Sequence, residues 1–397
     1  MILPDAKWRS RSGMARLLQA LDAGKGETRY VGGCVRDTLL GIEVSDVDLA
    51  TRIAPDEVMT RLVAAGIKAV PTGLAHGTVT AVAAGQPVEV TTLRRDVSTD
   101  GRRATIVFTD DWREDAARRD FTINALSADP GSGTLFDYFG GLDDIAARRV
   151  RFIGDPLQRI AEDHLRILRF FRFHARFGSG WPDPAGLDAC AERANDLMAL
   201  SRERIADELL KLLDLSDPTA TVALMIARGI FRPVLPEIVD AERLRALISA
   251  EQAAGIAPAA IRRLAALLPR SVEVATDIAA RLRLSKRDAR RLAAAAGRTL
   301  EEPAVLAYEI GAEQAVDRFL LEGRTDAGLE LLQSWQRPRL PISGGALISM
   351  GLEAGPIVAR TMQAIEREWV RTGFPEDKAT VRAIARRHVD QALRALK

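Results

Sequence analysis

The chain has 397 residues, a net charge of +2 and two cysteines, Cys34 and Cys190. This length predicts two to four structural units, and the apolar content suffices for their cores. Because there is no CxxC motif or Cys/His cluster, neither a zinc site nor a disulfide framework is expected, and both cysteines are predicted to be small core residues in a reducing cytoplasm. No apolar run reaches 18 residues and no apolar signal region begins the chain, so neither a membrane span nor a secretory signal is expected.

The composition changes near residue 150. Before it, short β-branched runs alternate with turns and short helices, and after about residue 155 apolar residues recur at helical spacing. The predicted fold class is therefore α+β, with an α/β head followed by an all-α neck, body and tail. Arginines cluster in 148–176 and again, with one lysine, in 281–298. Such runs are either solvated helix faces or contacts for a polyanionic partner.

The stretch "TRYVGGCVRDTLLG" predicts a strand, a turn at Gly32 and Gly33, and a short helix from about Cys34 to Leu40. Glycines at such a turn let backbone N–H groups approach a phosphate at a helix N-terminus. Arg36 either lies at the surface or points to the same anion.

The stretch "SDVDLAT" places Asp46 and Asp48 two residues apart, so on a strand they project from one face. Side-by-side carboxylates repel unless a cation or proton lies between them, and Mg²⁺ typically takes one or two carboxylates plus substrate phosphates. The alternative is a DxD turn that caps a helix and faces solvent. Glu89, in the apolar run "PVEVTTL", is either the solvent face of an edge strand or a third carboxylate of the metal site.

Two later motifs carry further candidates. In "RRDFTINAL" (118–126), Asp120 and Asn124 are four residues apart and are predicted to share a helix face, where they hold a sugar or brace the helix. In "EDHLRILRFFR" (162–172), arginines lie among Leu, Ile and Phe. A single helix over about 157–177, apolar nearly all round, is predicted to be enclosed, and its charges then need partners.

The motif pair "VGGCVRDTLLG…SDVDLAT" resembles the signature of class II nucleotidyltransferases, the family of tRNA CCA-adding enzymes and bacterial poly(A) polymerases. Four further motifs match in order: "RRDFTINAL", the link "DYFGGLDD" (137–144), the base-recognition helix "EDHLRILR" (162–169) and the neck element "SRERIADELLKLL" (201–213). The resemblance covers about residues 27–215. It implies a nucleotidyltransferase head over 27–150 and a neck over 151–215. Outside it, we expect an N-terminal helix or extension over 1–26 and a helical, tRNA-binding body and tail over 216–397.

The resemblance also implies a reaction, in which an RNA 3′-hydroxyl attacks the α-phosphate of a nucleoside triphosphate and pyrophosphate leaves. Asp46 and Asp48 are then the catalytic metal ligands, with Mg²⁺ as cofactor and Glu89 as a further catalytic candidate. The triphosphate is expected to be bound by Gly32, Gly33 and Arg36. The nucleotide is expected to contact Arg119, and Asp120 and Asn124 are candidates for binding its sugar.

Asp163 and Arg166 are one helical turn apart, so they form either an ordinary salt bridge or a base-reading pair. A carboxylate accepts from an exocyclic amine and a guanidinium donates to ring acceptors, which selects cytosine and adenine. Uracil and guanine place a carbonyl against the carboxylate and are rejected. Arg169 and Arg172 lie further round the helix and are predicted to hold phosphate or the tRNA end.

Three cues favour CCA addition over poly(A) synthesis. The strand "GLAHGTVTAV" resembles the CCA type, the polar loop 94–120 resembles the one needed for the final A, and no phosphohydrolase signature appears. The expected partners are tRNA, CTP and ATP, with no membrane and no required protein partner. The alternatives are a poly(A) polymerase, an A-only or CC-only enzyme, a small-molecule or protein nucleotidyltransferase, and a non-catalytic RNA-binding protein with a related head.

Overall fold

A computed structural model describes residues 1–100, 103–298 and 302–395, and side chains for all of these except 96–100 and 103–105. The chain divides into two compact units, Met1–Pro236 and Glu237–Lys397. An α/β head followed by helices confirms the predicted α+β class. In the described residues, no helix is long and apolar enough to cross a bilayer.

The first unit is built on a seven-stranded sheet of order β3-β4-β5-β2-β1-β8-β9. Its strands are β1 (Thr28–Val31), β2 (Asp48–Thr51), β3 (Lys68–Gly73), β4 (Thr78–Ala83), β5 (Gln86–Thr92), β8 (Ser127–Ala128) and β9 (Leu135–Phe136). All neighbouring strands are antiparallel except β2 and β5, which run parallel with Asp48 opposite Glu89. This parallel pair places the two carboxylate-bearing strands side by side in the sheet interior.

The segment 94–120, predicted to be a long polar loop, contains regular structure. Strands β6 (Arg94–Asp100) and β7 (Arg103–Phe108) pair as a separate antiparallel ribbon, and a short helix follows. Residues 101–102 of the segment lie outside the described residues. The β-branched run after Arg103 ("ATIVF") is a strand-forming pattern that the polar composition of the segment obscured.

The N-terminal segment packs into the head. Leu3, Trp8, Met14, Leu17 and Leu21 are buried in one cluster with the apolar face of the sheet. The Trp8 ring meets Tyr30 of β1 edge-on at 4.7 Å between centroids. The residues expected as an extension therefore supply part of the core under the sheet.

The remaining described elements of the first unit are helical. They are α1 (Met14–Ala20), α2 (Gly33–Leu39), α3 (Pro55–Ala64), α4 (Trp112–Ala117), α5 (Gly141–Ala146), α6 (Pro156–Glu162), α7 (Arg166–Phe177), α8 (Pro184–Glu192), α9 (Arg202–Leu213) and α10 (Thr219–Ala227), with short 3₁₀ turns between some of them. The neck motif at 201–213 thus coincides with helix α9.

The single helix predicted over 157–177 is interrupted, which corrects that expectation. Helix α6 ends at Glu162, Asp163 has extended backbone (φ −153°), and α7 begins at Arg166. The Asp163 carboxylate accepts the backbone N–H of Leu165 at 3.1 Å, a local bond that competes with the helical pattern. Enclosure is confirmed for 162–175, where no residue is exposed, but not for the whole of 157–177, because Gln158, Ala161 and Arg176 are exposed.

The described part of the second unit is all helical. It contains α11 (Glu242–Ala253), α12 (Ala260–Leu267), α13 (Val272–Arg281), α14 (Lys286–Ala296), α15 (Pro303–Ile310), α16 (Ala312–Leu321), α17 (Ala327–Ser334), α18 (Gly344–Ser349), α19 (Pro356–Arg371) and α20 (Lys378–Arg394). A buried ion network joins several of these helices, with Arg262 between Glu251 (2.7 Å) and Asp317 (3.1 Å). Such buried charges persist only when each has a partner.

Candidate active site

The glycine turn has the predicted strand–turn–helix form, with β1 ending at Val31 and α2 beginning at Gly33. Gly32 has φ +70° and ψ −124°, a conformation that side chains rarely adopt. A Cβ on Gly32 would lie 2.8 Å from Nη1 of Arg119. Glycine at this position therefore lets the Arg119 guanidinium lie directly against the turn.

The two aspartates do not share a strand, which corrects the prediction. Strand β2 begins at Asp48, and Asp46 lies in the preceding segment, where Ser45 Oγ donates to its Oδ2 at 2.8 Å. Burial still alternates, because Val47 and Leu49 are buried whereas Asp46 is exposed and Asp48 is half-buried. The alternation keeps both carboxylates on the solvent side of the sheet.

Glu89 lies on β5, between β4 and β2, so the edge-strand explanation for this residue is wrong. It is exposed and stands opposite Asp48 in the parallel register. Burial of Asp48, together with the negative charges of Glu89 and Asp46, raises the pKa of Asp48 to about 6. The positive groups near Asp48 therefore do not fully compensate the negative charge of this carboxylate cluster.

The donor set fits a divalent cation that also binds substrate. Two or three carboxylate oxygens on one side of a sheet suit Mg²⁺, whose remaining ligands are usually water and phosphate oxygens. Within the described residues, no three or more His, Cys, Asp and Glu side chains are arranged as a complete protein cage for a metal. The chain thus presents carboxylates to which a nucleotide's phosphates can add ligands.

A cavity of about 380 Å³ lies at the glycine turn. Its lining brings together nine residues that the sequence analysis selected, and adds Phe173: Gly32, Gly33, Arg36, Arg119, Asp120, Asn124, Asp163, Arg166, Arg169 and Phe173. Arg119 acts electrostatically on Asp48, lowering its pKa against the stronger effect of burial. Arg119 therefore connects the cavity with the carboxylate cluster.

Asp120 is the central acceptor of the cavity wall. It accepts from the backbone N–H of Phe121, from Nδ2 of Asn124 (both 2.9 Å) and from Nε of Arg169 (2.7 Å). Burial would raise the pKa of Asp120, but the Arg169 charge and these hydrogen bonds outweigh burial and lower it. The Asn124 side-chain oxygen in turn accepts from Arg36.

The predicted helix face shared by Asp120 and Asn124 is absent, because the described segment contains only a 3₁₀ turn, Thr122–Asn124. The two side chains still meet, since the turn brings Asn124 back onto Asp120. Their hydrogen bonds go to Arg36 and Arg169, so in the described segment they hold two arginines and not a helix.

Asp163 and Arg166 both line the cavity, but their side chains form ion pairs with other residues, so the salt-bridge interpretation is wrong. The Asp163 Oδ2 accepts from Nη2 of Arg204 on α9 at 2.7 Å. Arg166 donates to Glu162 (2.5 Å) and to the backbone oxygens of Arg159 (2.7 Å) and Arg118 (3.2 Å). Each member of the proposed base-reading pair is therefore held by its own partners.

Arg172 is not among the described residues that line the cavity. Its Nε donates to Oε2 of buried Glu208 at 2.6 Å, and Nη1 of Arg169 lies 3.7 Å from Oε1 of the same carboxylate. Sequence reasoning missed Glu208 and Arg204. A usable signal existed for Glu208, which occupies a core position of the spacing Ile205, Glu208, Leu209 and Leu212.

The link "DYFGGLDD" forms a tight local structure. Asp137 accepts from four consecutive backbone N–H groups, those of residues 139 to 142, at 2.9 to 3.1 Å. Asp144, fully buried, accepts from Thr122 Oγ1 at 2.6 Å. The link is thereby tied to the turn that carries Asn124.

Comparison with known proteins gives a consistent result. The model "Poly A polymerase head domain" matches residues 28–151, and "Probable RNA and SrmB- binding site of polymerase A" matches 182–242. The mitochondrial CCA tRNA nucleotidyltransferase 1 of Mus musculus is 34% identical over 92% of this chain and 88% of its own length. The CCA-adding enzyme of Levilactobacillus brevis is 32% identical over 92% and 95%.

A solved structure agrees over nearly the whole chain. The Bacillus stearothermophilus CCA-adding enzyme, crystallised in complex with CTP, superposes with a TM-score of 0.77 at 26% identity and covers 96% of this chain and 99% of its own. The Thermotoga maritima enzyme complexed with tRNA shares the fold, with a TM-score of 0.66 at 19% identity over the full length of both chains. This chain belongs to the family of CCA-adding tRNA nucleotidyltransferases, which carry a poly(A) polymerase-type head.

Proposed function

We propose that this chain adds C, C and A to the 3′ end of tRNA, using CTP and ATP without a nucleic-acid template and releasing pyrophosphate. The observation that carries the proposal is the single cavity that unites the glycine turn with Asp163 and Arg166. The named activities of the relatives support it.

The roles of the cavity residues follow from their chemistry. Gly32, Gly33 and Arg36 receive the triphosphate, and Arg119, between the turn and Asp48, contacts the nucleotide. Asp163 accepts from the exocyclic amine of cytosine or adenine and Arg166 donates to the neighbouring ring acceptor. Asp120 and Asn124 position Arg36 and Arg169 rather than bind the sugar themselves.

Asp46 and Asp48 are the proposed ligands of Mg²⁺, with Glu89 as a further catalytic candidate beside them. When bound, the metal supplies a Lewis acid that polarises the phosphate and activates the attacking hydroxyl. The carboxylates hold negative charge where the cation is needed, and the cavity arginines complement the charge that develops on the departing pyrophosphate. Arg172, engaged by Glu208, is assigned to positioning of α7 rather than to phosphate binding.

The proposed partners are CTP, ATP and tRNA, the last held partly by the helical body. Helix α20 carries Lys378, Arg382 and Arg386 at four-residue spacing, all exposed, which forms a basic stripe suited to phosphates. A cytoplasmic location remains a proposal, since the human and mouse relatives are mitochondrial by name.

The test is the length of the product formed on tRNA that ends at its discriminator base, with CTP, ATP and Mg²⁺ present. Three added nucleotides are expected. Addition of two would indicate a CC-only enzyme, a long adenosine tail a poly(A) polymerase, and addition of one A only to tRNA already ending in CC an A-only enzyme. No addition to tRNA by the folded protein would overturn the proposal.

A further inference from the structure

Asp163, the proposed base-reading carboxylate, forms an ion pair with a residue of helix α9. Asp163 sits at the break between α6 and α7, where the only described backbone bond to its carboxylate comes from Leu165 N–H. The second carboxylate oxygen accepts from Nη2 of Arg204 at 2.7 Å. The two side chains are about one quarter exposed, 25% and 23%, so solvent screens this ion pair only in part.

Arg204 acts through Asp163 rather than on a nucleotide. The described residues that line the cavity include Asp163 but not Arg204. Each carboxylate oxygen has two lone pairs, so the bonds from Leu165 and Arg204 leave acceptor capacity on a residue that lines the cavity. Because each oxygen already accepts a hydrogen bond, the carboxylate plane is fixed before a base binds.

The same helix face holds a second charge of the site. Glu208, four residues after Arg204, is buried and accepts from Arg172, while Arg169 of the cavity lies 3.7 Å away. Residues four apart on a helix are neighbours on its surface. Helix α9 therefore fixes both Asp163 and the arginines of α7 from one side.

We propose that Arg204 is a positioning residue for base selection, which orients Asp163 so that its carboxylate accepts from the amine of cytosine or adenine and repels the carbonyl of uracil or guanine. This inference rests on the proposed function. Discrimination by an unpaired acceptor requires a fixed geometry, since a carboxylate that can rotate away no longer meets the carbonyl oxygen. Loss of Arg204 should thus cost selectivity, not only rate.

The test compares Arg204→Met, Arg204→Lys and Lys211→Met in label transfer from CTP and from UTP to tRNA lacking its 3′ end. Lys211 is the matched control, because it forms an exposed ion pair with Asp207 on the same helix. The readout is the ratio of kcat/KM for CTP to that for UTP, which does not depend on the fraction of folded enzyme. Arg204→Met is expected to lower this ratio at least tenfold, Arg204→Lys to restore part of it, and Lys211→Met to leave it unchanged.

A double-variant cycle separates positioning from general damage. In the Asp163→Ala background, Arg204→Met should leave the ratio unaltered, because the group that it positions is gone. A ratio within twofold of wild type in Arg204→Met, or an equal tenfold loss in the Asp163→Ala background, would overturn the inference alone. Absence of transfer by the wild-type protein would instead overturn the proposed function.

Discussion

At Asp48, three effects oppose ionisation: burial, the charge of Glu89 and the charge of Asp46. The folded protein therefore holds the Asp48 proton more tightly than the unfolded chain does, with a pKa of about 6 against 3.8. The resulting penalty is absent below pH 4, grows between pH 4 and pH 6, and is complete above that. In a cation-binding site, this unfavourable contribution to folding free energy is present as long as no metal is bound.

We expect Asp48→Asn to be more stable than wild type at pH 7.5 in EDTA, by up to about 3 kcal/mol, and equally stable at pH 4. Thermal melting at the two pH values measures the difference. Mg²⁺ should raise the wild-type Tm and not that of the variant, and nucleotide transfer should be lost. A variant that is less stable than wild type at pH 7.5 would show that Asp48 is a structural carboxylate.

Single residues also mark the limit of sequence reasoning. The candidates Asp163 and Arg166 could be selected from the motif, and both line the cavity. The separate partners of these two side chains could not be predicted from the motif. Arg204 lies 41 positions from Asp163, and the break after Glu162 depends on a local side-chain hydrogen bond. Spacing predicts which residues can meet on a regular helix, and here the helix is not regular.

At the scale of elements, α7 and α9 are joined by buried charge. Glu208 has a side chain only 4% exposed and receives Arg172, itself 12% exposed. Periodicity predicted that α7 is enclosed and that its charges need partners; this holds for Arg169 and Arg172, whereas Arg176 is exposed. It could not predict which arginine faces the cavity and which faces α9, because that depends on how the two helices pack.

We expect Arg172→Met to destabilise the protein by about 3 kcal/mol, since it removes one partner of a buried ion pair and leaves the Glu208 carboxylate with the more distant Arg169, at 3.7 Å, as its described cationic partner. Urea unfolding measures the change. Arg176→Met, on the exposed side of the same helix, is the control and should alter stability by less than about 0.5 kcal/mol. Unchanged stability together with weakened tRNA or nucleotide binding would restore Arg172 to the substrate site.

At the scale of the whole molecule, the proposed division of labour between nucleotide and tRNA binding follows the two units. All described cavity residues lie within Met1–Pro236, whereas the stripe Lys378, Arg382 and Arg386 lies in Glu237–Lys397. Ordered motifs up to residue 213 made the head and neck predictable. Beyond them only helical periodicity was available, which predicts that helices form but not the buried network of Glu251, Arg262 and Asp317.

Neutralising the α20 stripe in the full-length chain tests this division. We expect Lys378→Gln, Arg382→Gln and Arg386→Gln together to weaken tRNA binding about tenfold at 0.1 M salt and to reduce the salt dependence of that binding, because fewer phosphate counterions are released. CTP affinity should stay unchanged, since the cavity residues lie in the other unit.

The control removes the same charge from exposed positions of the first unit, through Lys7→Gln, Lys68→Gln and Lys211→Gln. Filter binding over a salt series compares both variants with wild type. If both weaken tRNA binding equally, net charge and not the stripe attracts the RNA, because long-range attraction depends on total charge whereas phosphate contacts depend on position. Selective weakening by the α20 variant would place tRNA phosphates against that helix.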